Sequence, residues 1–113
     1  MRKRKILIID DEVDFCLLLT SFYSRKGYEV SFSHTLNEGL ININRIIPDI
    51  IFLDNNLPDG LGWNAAAKIQ REYPKAELNL ISAYKSDVPH LADPAAVRIL
   101  EKPLNLESLD LYY

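Results

Sequence analysis

The chain has 113 residues, 13 Lys plus Arg against 16 Asp plus Glu, and a net charge of -3. That length holds one domain of ordinary size, large enough to bury a core without a metal or disulfide staple. The acidic balance excludes a basic nucleic-acid module; one cysteine (Cys16) excludes an intrachain disulfide and a cysteine-rich zinc site; two histidines (His34, His90) are too few for a His-rich metal site. The basic run Arg2 to Lys5 reads as a solvated strand start rather than a nucleic-acid patch. Only the short apolar run Ile6 to Ile9 follows, which is too little for a signal peptide, and no run reaches the roughly 20 residues of a membrane span. A cytoplasmic, single-domain protein over residues 1–113 is the expectation.

Ile6-Leu7-Ile8-Ile9 predicts a buried strand that stops at Asp10. Phe15, Leu18, Leu19 and Phe22 fall at i, i+3, i+4 and i+7, one face of a helix, and Gly27 sits where a C-terminal glycine belongs. Cys16 beside that stripe reads as an inert, partly buried residue. Tyr28 to Phe32 predicts a second strand. Thr35 and Glu38 have capping-box spacing ahead of a helix lined by Leu36, Leu40, Ile43 and Ile47, which Pro48 ends.

Ile50 to Leu53 predicts a third buried strand, closing at Asp54. Pro58, Gly60 and Gly62 mark a loop, in which Asp59 is turn chemistry with no catalytic role. Trp63, Ala66, Ile69 and Tyr73 form the next helical stripe, with Trp63 as its core anchor. Leu78 to Ile81 predicts a fourth strand ending at Ser82; Val97 to Leu100 predicts a fifth ending near Lys102-Pro103; a last helix starts near Leu106. Pro89 and Pro94 fall where a fourth helix belongs, so a short, displaced or poorly ordered helix is expected between Lys85 and Ala95. Asn79 puts an unexplained polar side chain inside the fourth strand.

Strands alternating with helices imply a parallel sheet wound on both faces, with ligands outside the carboxyl ends of its strands. Asp10, Asp11, Asp54, Ser82 and Lys102 all fall at such ends. Three gathered carboxylates repel one another, so a cation must offset them or one must keep a proton. A hard divalent ion such as Mg2+ suits carboxylate oxygens, Lys102 adds a fixed positive charge, and Ser82 adds a hydroxyl donor. A carboxylate in that setting can serve as a phosphoryl acceptor. Each residue alone has an ordinary explanation: a helix N-cap for Asp10-Asp11, an Asx turn for Asp54, a loop serine and a surface lysine. Their convergence on one sheet edge carries the functional reading.

The segments KILIIDDE, PDIIFLDNNLPDGLGW, LISAY and ILEKPLN, in that order, resemble the receiver domain of bacterial two-component response regulators. The resemblance implies a flavodoxin-like, doubly wound five-stranded parallel sheet of order 2-1-3-4-5. It implies Asp54 as phosphoacceptor, Asp10 and Asp11 as the acidic pair for Mg2+, the backbone carbonyl of Asn56 as a further metal ligand beside Asp54, Ser82 as the switch hydroxyl and Lys102 as the site lysine. It also implies a cis Lys102-Pro103 peptide, and Asn56 and Tyr84 as residues that tune hydrolysis of the phosphorylated form.

The implied function is to accept a phosphoryl group from a phosphohistidine donor, a sensor histidine kinase or phosphotransfer protein, and to switch a protein-interaction surface. Such a domain assists its own phosphorylation and hydrolysis without being a turnover enzyme. Three features depart from the pattern: Ile99 stands where the family places a mobile aromatic residue, the stretch between Ser82 and Lys102 is short and carries Pro89 and Pro94 where the fourth helix belongs, and the last helix is shorter than the family's. An output domain beyond Tyr113, in a longer protein, is therefore expected; a homodimer is compatible with the resemblance, and direct contact with nucleic acid or membrane is not expected. The alternative is a degenerate receiver acting as a phosphorylation-independent interaction module, favoured by Ile99 and the two prolines. A metal-dependent phosphatase is a third reading, weakened by short loops and the lack of an acid near Asp54 other than Asp59.

Overall fold

The computed structural model describes residues 2–83 and 89–113. Five strands, β1 (Lys5–Ile9), β2 (Glu29–Ser33), β3 (Ile50–Asp54), β4 (Glu77–Ser82) and β5 (Val97–Glu101), form one parallel sheet of order β2-β1-β3-β4-β5. A two-stranded antiparallel hairpin, Asn56–Leu57 with Gly60–Leu61, follows β3. The order is that of a doubly wound α/β fold, as the sequence implies.

Both faces of the central strands are covered, so their apolar runs are continuous rather than alternating with polar residues. Successive side chains go to opposite faces. Leu7, Ile9, Ile51, Leu53, Leu78 and Leu80 pack with α2 (Leu36–Ile46) and α3 (Ala66–Glu72), anchored by Ile43, Trp63, Ala66 and Ile69. Ile6, Ile8, Ile50, Phe52 and Ile81 pack on the other face with Cys16, Leu19 and Tyr23 of α1 (Val13–Arg25) and Leu109 of α4 (Leu106–Asp110).

The helix ends follow local chemistry. Thr35 Oγ1 accepts from the Glu38 amide and starts α2, as its spacing predicts. Gly27, at φ 96°, closes the turn after α1 in a conformation that costs glycine little. The predicted face holds in part: Leu19 is buried and Phe15 and Phe22 pack partly buried against the same core, Cys16 and Tyr23 join them fully buried, and Leu18 is 51% exposed instead. The small Cys16 side chain lets the helix start lie against β1, with Sγ 3.4 Å from the Asp10 carbonyl, so it is fully buried rather than partly.

In residues 89–96 the described chain has one 3-10 turn, Pro94–Ala96, with Pro94 at its first position, where a missing N–H costs nothing. The rest of the expected fourth-helix segment, 85–88, lies outside the described residues. Ile99, in β5, is 46% exposed. The last helix is five residues long, capped by Asn105 Oδ1 accepting from the Glu107 amide.

Asn79 now has an explanation. Its buried side chain points to the α1–α4 face, where its amide donates to the Ile51 carbonyl and to the Tyr113 hydroxyl. Arg98 Nη1 donates to both Asn79 Oδ1 and the same hydroxyl, and the guanidinium stacks 3.8 Å from the Tyr112 ring centroid. The polar residue inside β4 thus ties the chain after α4 to the sheet. No helix among the described residues is long and apolar enough to cross a membrane.

Candidate phosphoacceptor site

Parallel register carries the strand-end residues to one edge. Ile9 pairs with Leu53, which brings Asp10 level with Asp54. Asp54 pairs with Ile81 and Ser82 with Glu101, and the Lys102 amide donates to the Ser82 carbonyl at 2.8 Å. Asp10, Asp11, Asp54, Ser82 and Lys102 therefore occupy one edge formed by four neighbouring strands.

Asp10 and Asp54 are buried and Asp11 is exposed, yet each offers a carboxylate oxygen within 4.8 Å of the others. Asp10 is pinned by its surroundings: its amide donates to the Ser33 carbonyl, and Oδ1 accepts from the Glu12 amide at 2.9 Å. Asp10 Oδ2 lies 2.8 Å from Lys102 Nζ, a largely buried ion pair. The same ammonium is 2.6 Å from Glu12 and 3.8 Å from Asp54. The Lys102-Pro103 peptide is cis.

Three carboxylates, those of Asp10, Glu12 and Asp54, lie against one ammonium, and Asp11 adds a fourth to the cluster. Burial first, and then the neighbouring Asp10 charge, push the Asp54 carboxyl up to about 7, against the pull of Lys102. Burial also raises Asp10, opposed by its contacts with Lys102 and the Glu12 amide. Burial works against the charge on Lys102, but Asp10 and Glu12 outweigh it and hold the ammonium above its ordinary range. The local charge is thus unbalanced toward the negative, as expected of a site that takes a cation.

The donor set fits a hard divalent ion: three clustered carboxylates and no soft ligand among them. Asn56 stands two residues beyond Asp54, exposed, at the start of the hairpin. Tyr84 lies outside the described residues.

Several contributors escape a sequence reading. Glu12 shares Lys102 from 90 residues away. Asn55 fastens the turn after Asp54: its amide donates to the Ile81 carbonyl, and its Oδ1 accepts from the Trp63 amide. Gly62 donates to the Asn55 carbonyl, and a Cβ there would lie 2.0 Å from the Asp54 carbonyl oxygen. Only a residue without a side chain fits so close to the backbone of Asp54. Asp59 accepts from the Leu36 and Asn37 amides, capping α2 across 23 and 22 residues rather than only making its own turn. Trp63 is the core anchor its position predicts, 3% exposed, with Nε1 donating to the Leu53 carbonyl.

Comparison with known proteins agrees with this geometry. The family model described as the response regulator receiver domain matches residues 6–112. The response regulator protein PilR of Pseudomonas aeruginosa is 32% identical over 111 residues, covering 96% of this chain and 25% of PilR. The chain therefore spans about a quarter of that relative's length. A CheY-like receiver domain from Methanospirillum hungatei superposes with a TM-score of 0.86 at 25% identity, covering 98% of this chain and 90% of that one. The Thermotoga maritima response regulator TrrA, solved in complex with Mg2+ and BeF, superposes at 0.80 with 26% identity, covering 96% and 95%. With the family's model matching nearly its whole length and its strand-end carboxylates gathered at one sheet edge, this chain belongs to the response regulator receiver domain family of two-component signalling.

Proposed function

We propose that Asp54 is the residue that accepts the phosphoryl group, from a phosphohistidine of a sensor kinase or phosphotransfer protein in the cytoplasm. The observation that carries this reading is the position of Asp54: buried at the end of β3, within 4.8 Å of the Asp10 and Asp11 oxygens and 3.8 Å from Lys102. In the transfer, an Asp54 carboxylate oxygen forms a bond to phosphorus as the phosphorus–nitrogen bond of the donor breaks. The leaving imidazole nitrogen keeps the electron pair and takes up a proton. Lys102 supplies positive charge beside the phosphoryl oxygens, and Ser82 offers its hydroxyl to one of them afterward.

Asp10, Asp11, Asp54 and the Asn56 carbonyl would hold Mg2+, which when bound offsets the carboxylate charge and the charge on the phosphoryl oxygens. The Mg2+ and BeF found with TrrA support this assignment. The domain assists its own modification and its reversal without multiple turnover on a free substrate. The added phosphate brings close to two negative charges, and the surface around β4 and β5 changes its population of states in response. That surface serves an output segment beyond Tyr113 in a longer protein. Ile99 stands where the family places an aromatic reporter and has no ring to turn inward, so a change at Ser82 proceeds without that relay.

Incubation with acetyl phosphate, with and without Mg2+, tests the proposal by mass spectrometry. The expected result is a Mg2+-dependent gain of one phosphoryl group that Asp54→Asn abolishes. No gain in the wild-type chain under any condition would support a phosphorylation-independent interaction module instead.

A further inference from the structure

The acidic pair sits where the β1–β2 ladder ends. Asp10 still donates its amide to Ser33, continuing the parallel pairing by one bond. A parallel neighbour two residues on, Thr35, would ordinarily supply the donor for the Asp10 carbonyl. Thr35 has instead turned away to become the N-cap of α2. The ring of His34 takes over: its Nδ1 lies 2.9 Å from the Asp10 carbonyl oxygen. A carbonyl can only accept, so Nδ1 carries the proton. The ring is steadied by Phe32, with centroids 5.1 Å apart. Ser33, between them, is fixed in turn, its Oγ accepting from Asn42 at 2.7 Å.

We propose that His34 is a positioning residue for the cation site: its Nδ1–H holds the peptide plane between Asp10 and Asp11, and so sets how the two carboxylates face Asp54. This inference rests on the metal-site reading above. The Cys16 thiol, 3.4 Å from the same carbonyl, is a weak donor and does not replace the imidazole. With His34 gone, the Asp10 carbonyl loses its directional partner and the Asp10–Asp11 segment gains freedom that cation binding must remove.

The test is a Mg2+ titration of the unphosphorylated chain followed by amide NMR shifts of residues 10–12 and 54–56, with thermal unfolding measured in parallel. His34→Ala is expected to weaken Mg2+ binding about tenfold, in the usual range for loss of a group that orients a metal ligand. His34→Asn, whose side-chain amide reaches near the Nδ1 position, is expected to recover most of it. Thr35→Ala, which removes the neighbouring helix cap, is expected to lower stability while leaving Mg2+ affinity unchanged. If His34→Ala does not fold, His34→Leu keeps the bulk against Phe32, removes the donor and is expected to show the same loss.

Wild-type affinity in the donor-free variant, no recovery in His34→Asn, or an equal loss in Thr35→Ala would each overturn the inference. A wild-type chain that shows no Mg2+ response would overturn the reading of the site itself, an outcome distinct from those three.

Discussion

Glu12 and Lys102, 90 residues apart in sequence, meet at 2.6 Å, while Lys102 stands 3.8 Å from Asp54. Lys102 is therefore shared between Asp10 and Glu12 and reaches Asp54 only at longer range. Glu12 is exposed, and exposed ion pairs of this kind are worth about 0.2–1 kcal/mol.

Glu12→Gln should release Lys102 toward Asp54. The expected outcome is phosphorylation by acetyl phosphate that is faster by up to roughly fivefold, the rate equivalent of about 1 kcal/mol. Stopped-flow fluorescence of Trp63, or timed mass spectrometry, would measure it. A slower rate would mean that Glu12 helps to place Lys102 for transfer rather than holding it back.

Asp54 also sets a pH dependence in metal-free buffer. Burial and the Asp10 charge raise its carboxyl in the folded chain to about 7 from an ordinary 3.8. The folded state thus binds the proton more tightly than the unfolded state. Stability from this group is full below about pH 4, declines as pH rises through about 7, and is level above that. Asp54→Asn should flatten the decline and raise the thermal midpoint at pH 8 without Mg2+ by on the order of 5 °C. A steeper decline in the variant would reverse the assignment.

Gly62→Ala places a methyl group 2.0 Å from the Asp54 carbonyl oxygen and 3.1 Å from Leu53 and Leu57 side-chain atoms. The backbone contact cannot yield by a rotamer change, so the turn after β3 must move. A destabilisation of about 1–3 kcal/mol in urea is expected, together with reduced phosphorylation of Asp54. Full stability with full activity would show that the turn has room to shift.

Tyr113→Phe removes the hydroxyl that Asn79 and Arg98 share. Loss of this part-buried hydrogen-bond partner should cost about 1–2 kcal/mol, read from urea unfolding, and speed hydrogen exchange in α4 before it does so in β1. Unchanged exchange in α4 would show that the other contacts of the segment hold it: Arg98 stacking on Tyr112, the Tyr28 hydroxyl on the Tyr113 carbonyl, Lys26 with Asp110 and the buried Leu109.

Asp59→Ala removes the carboxylate that accepts from the first two amides of α2. Those two bonds hold the Asp59 carboxyl below its ordinary range, so its contribution is present above about pH 4 and lost as pH falls through the lowered value. Faster exchange at Leu36 and Asn37 at neutral pH, with Glu38 still protected by Thr35, is the expected result.

The sequence by itself determined the sheet, its order through family resemblance, and the identity of the strand-end residues. Strands buried on both faces must be continuously apolar, so Ile6 to Ile9 and Ile50 to Leu53 announce themselves, and the polar residue that ends each run marks the functional edge. Only the tertiary structure decided which groups share a partner. Glu12 with Lys102, Asp59 with the start of α2, His34 with the Asp10 carbonyl and Asn79 with Tyr113 join elements far apart in the chain. Local periodicity carries no trace of them, because hydrogen bonds and ion pairs act over a few ångströms in space and the chain separation between partners is set by how the elements pack. The exposure of Leu18 has the same origin: Leu18 and Leu19 are equal in hydrophobicity, and only the packing of α1 on the sheet distinguishes them.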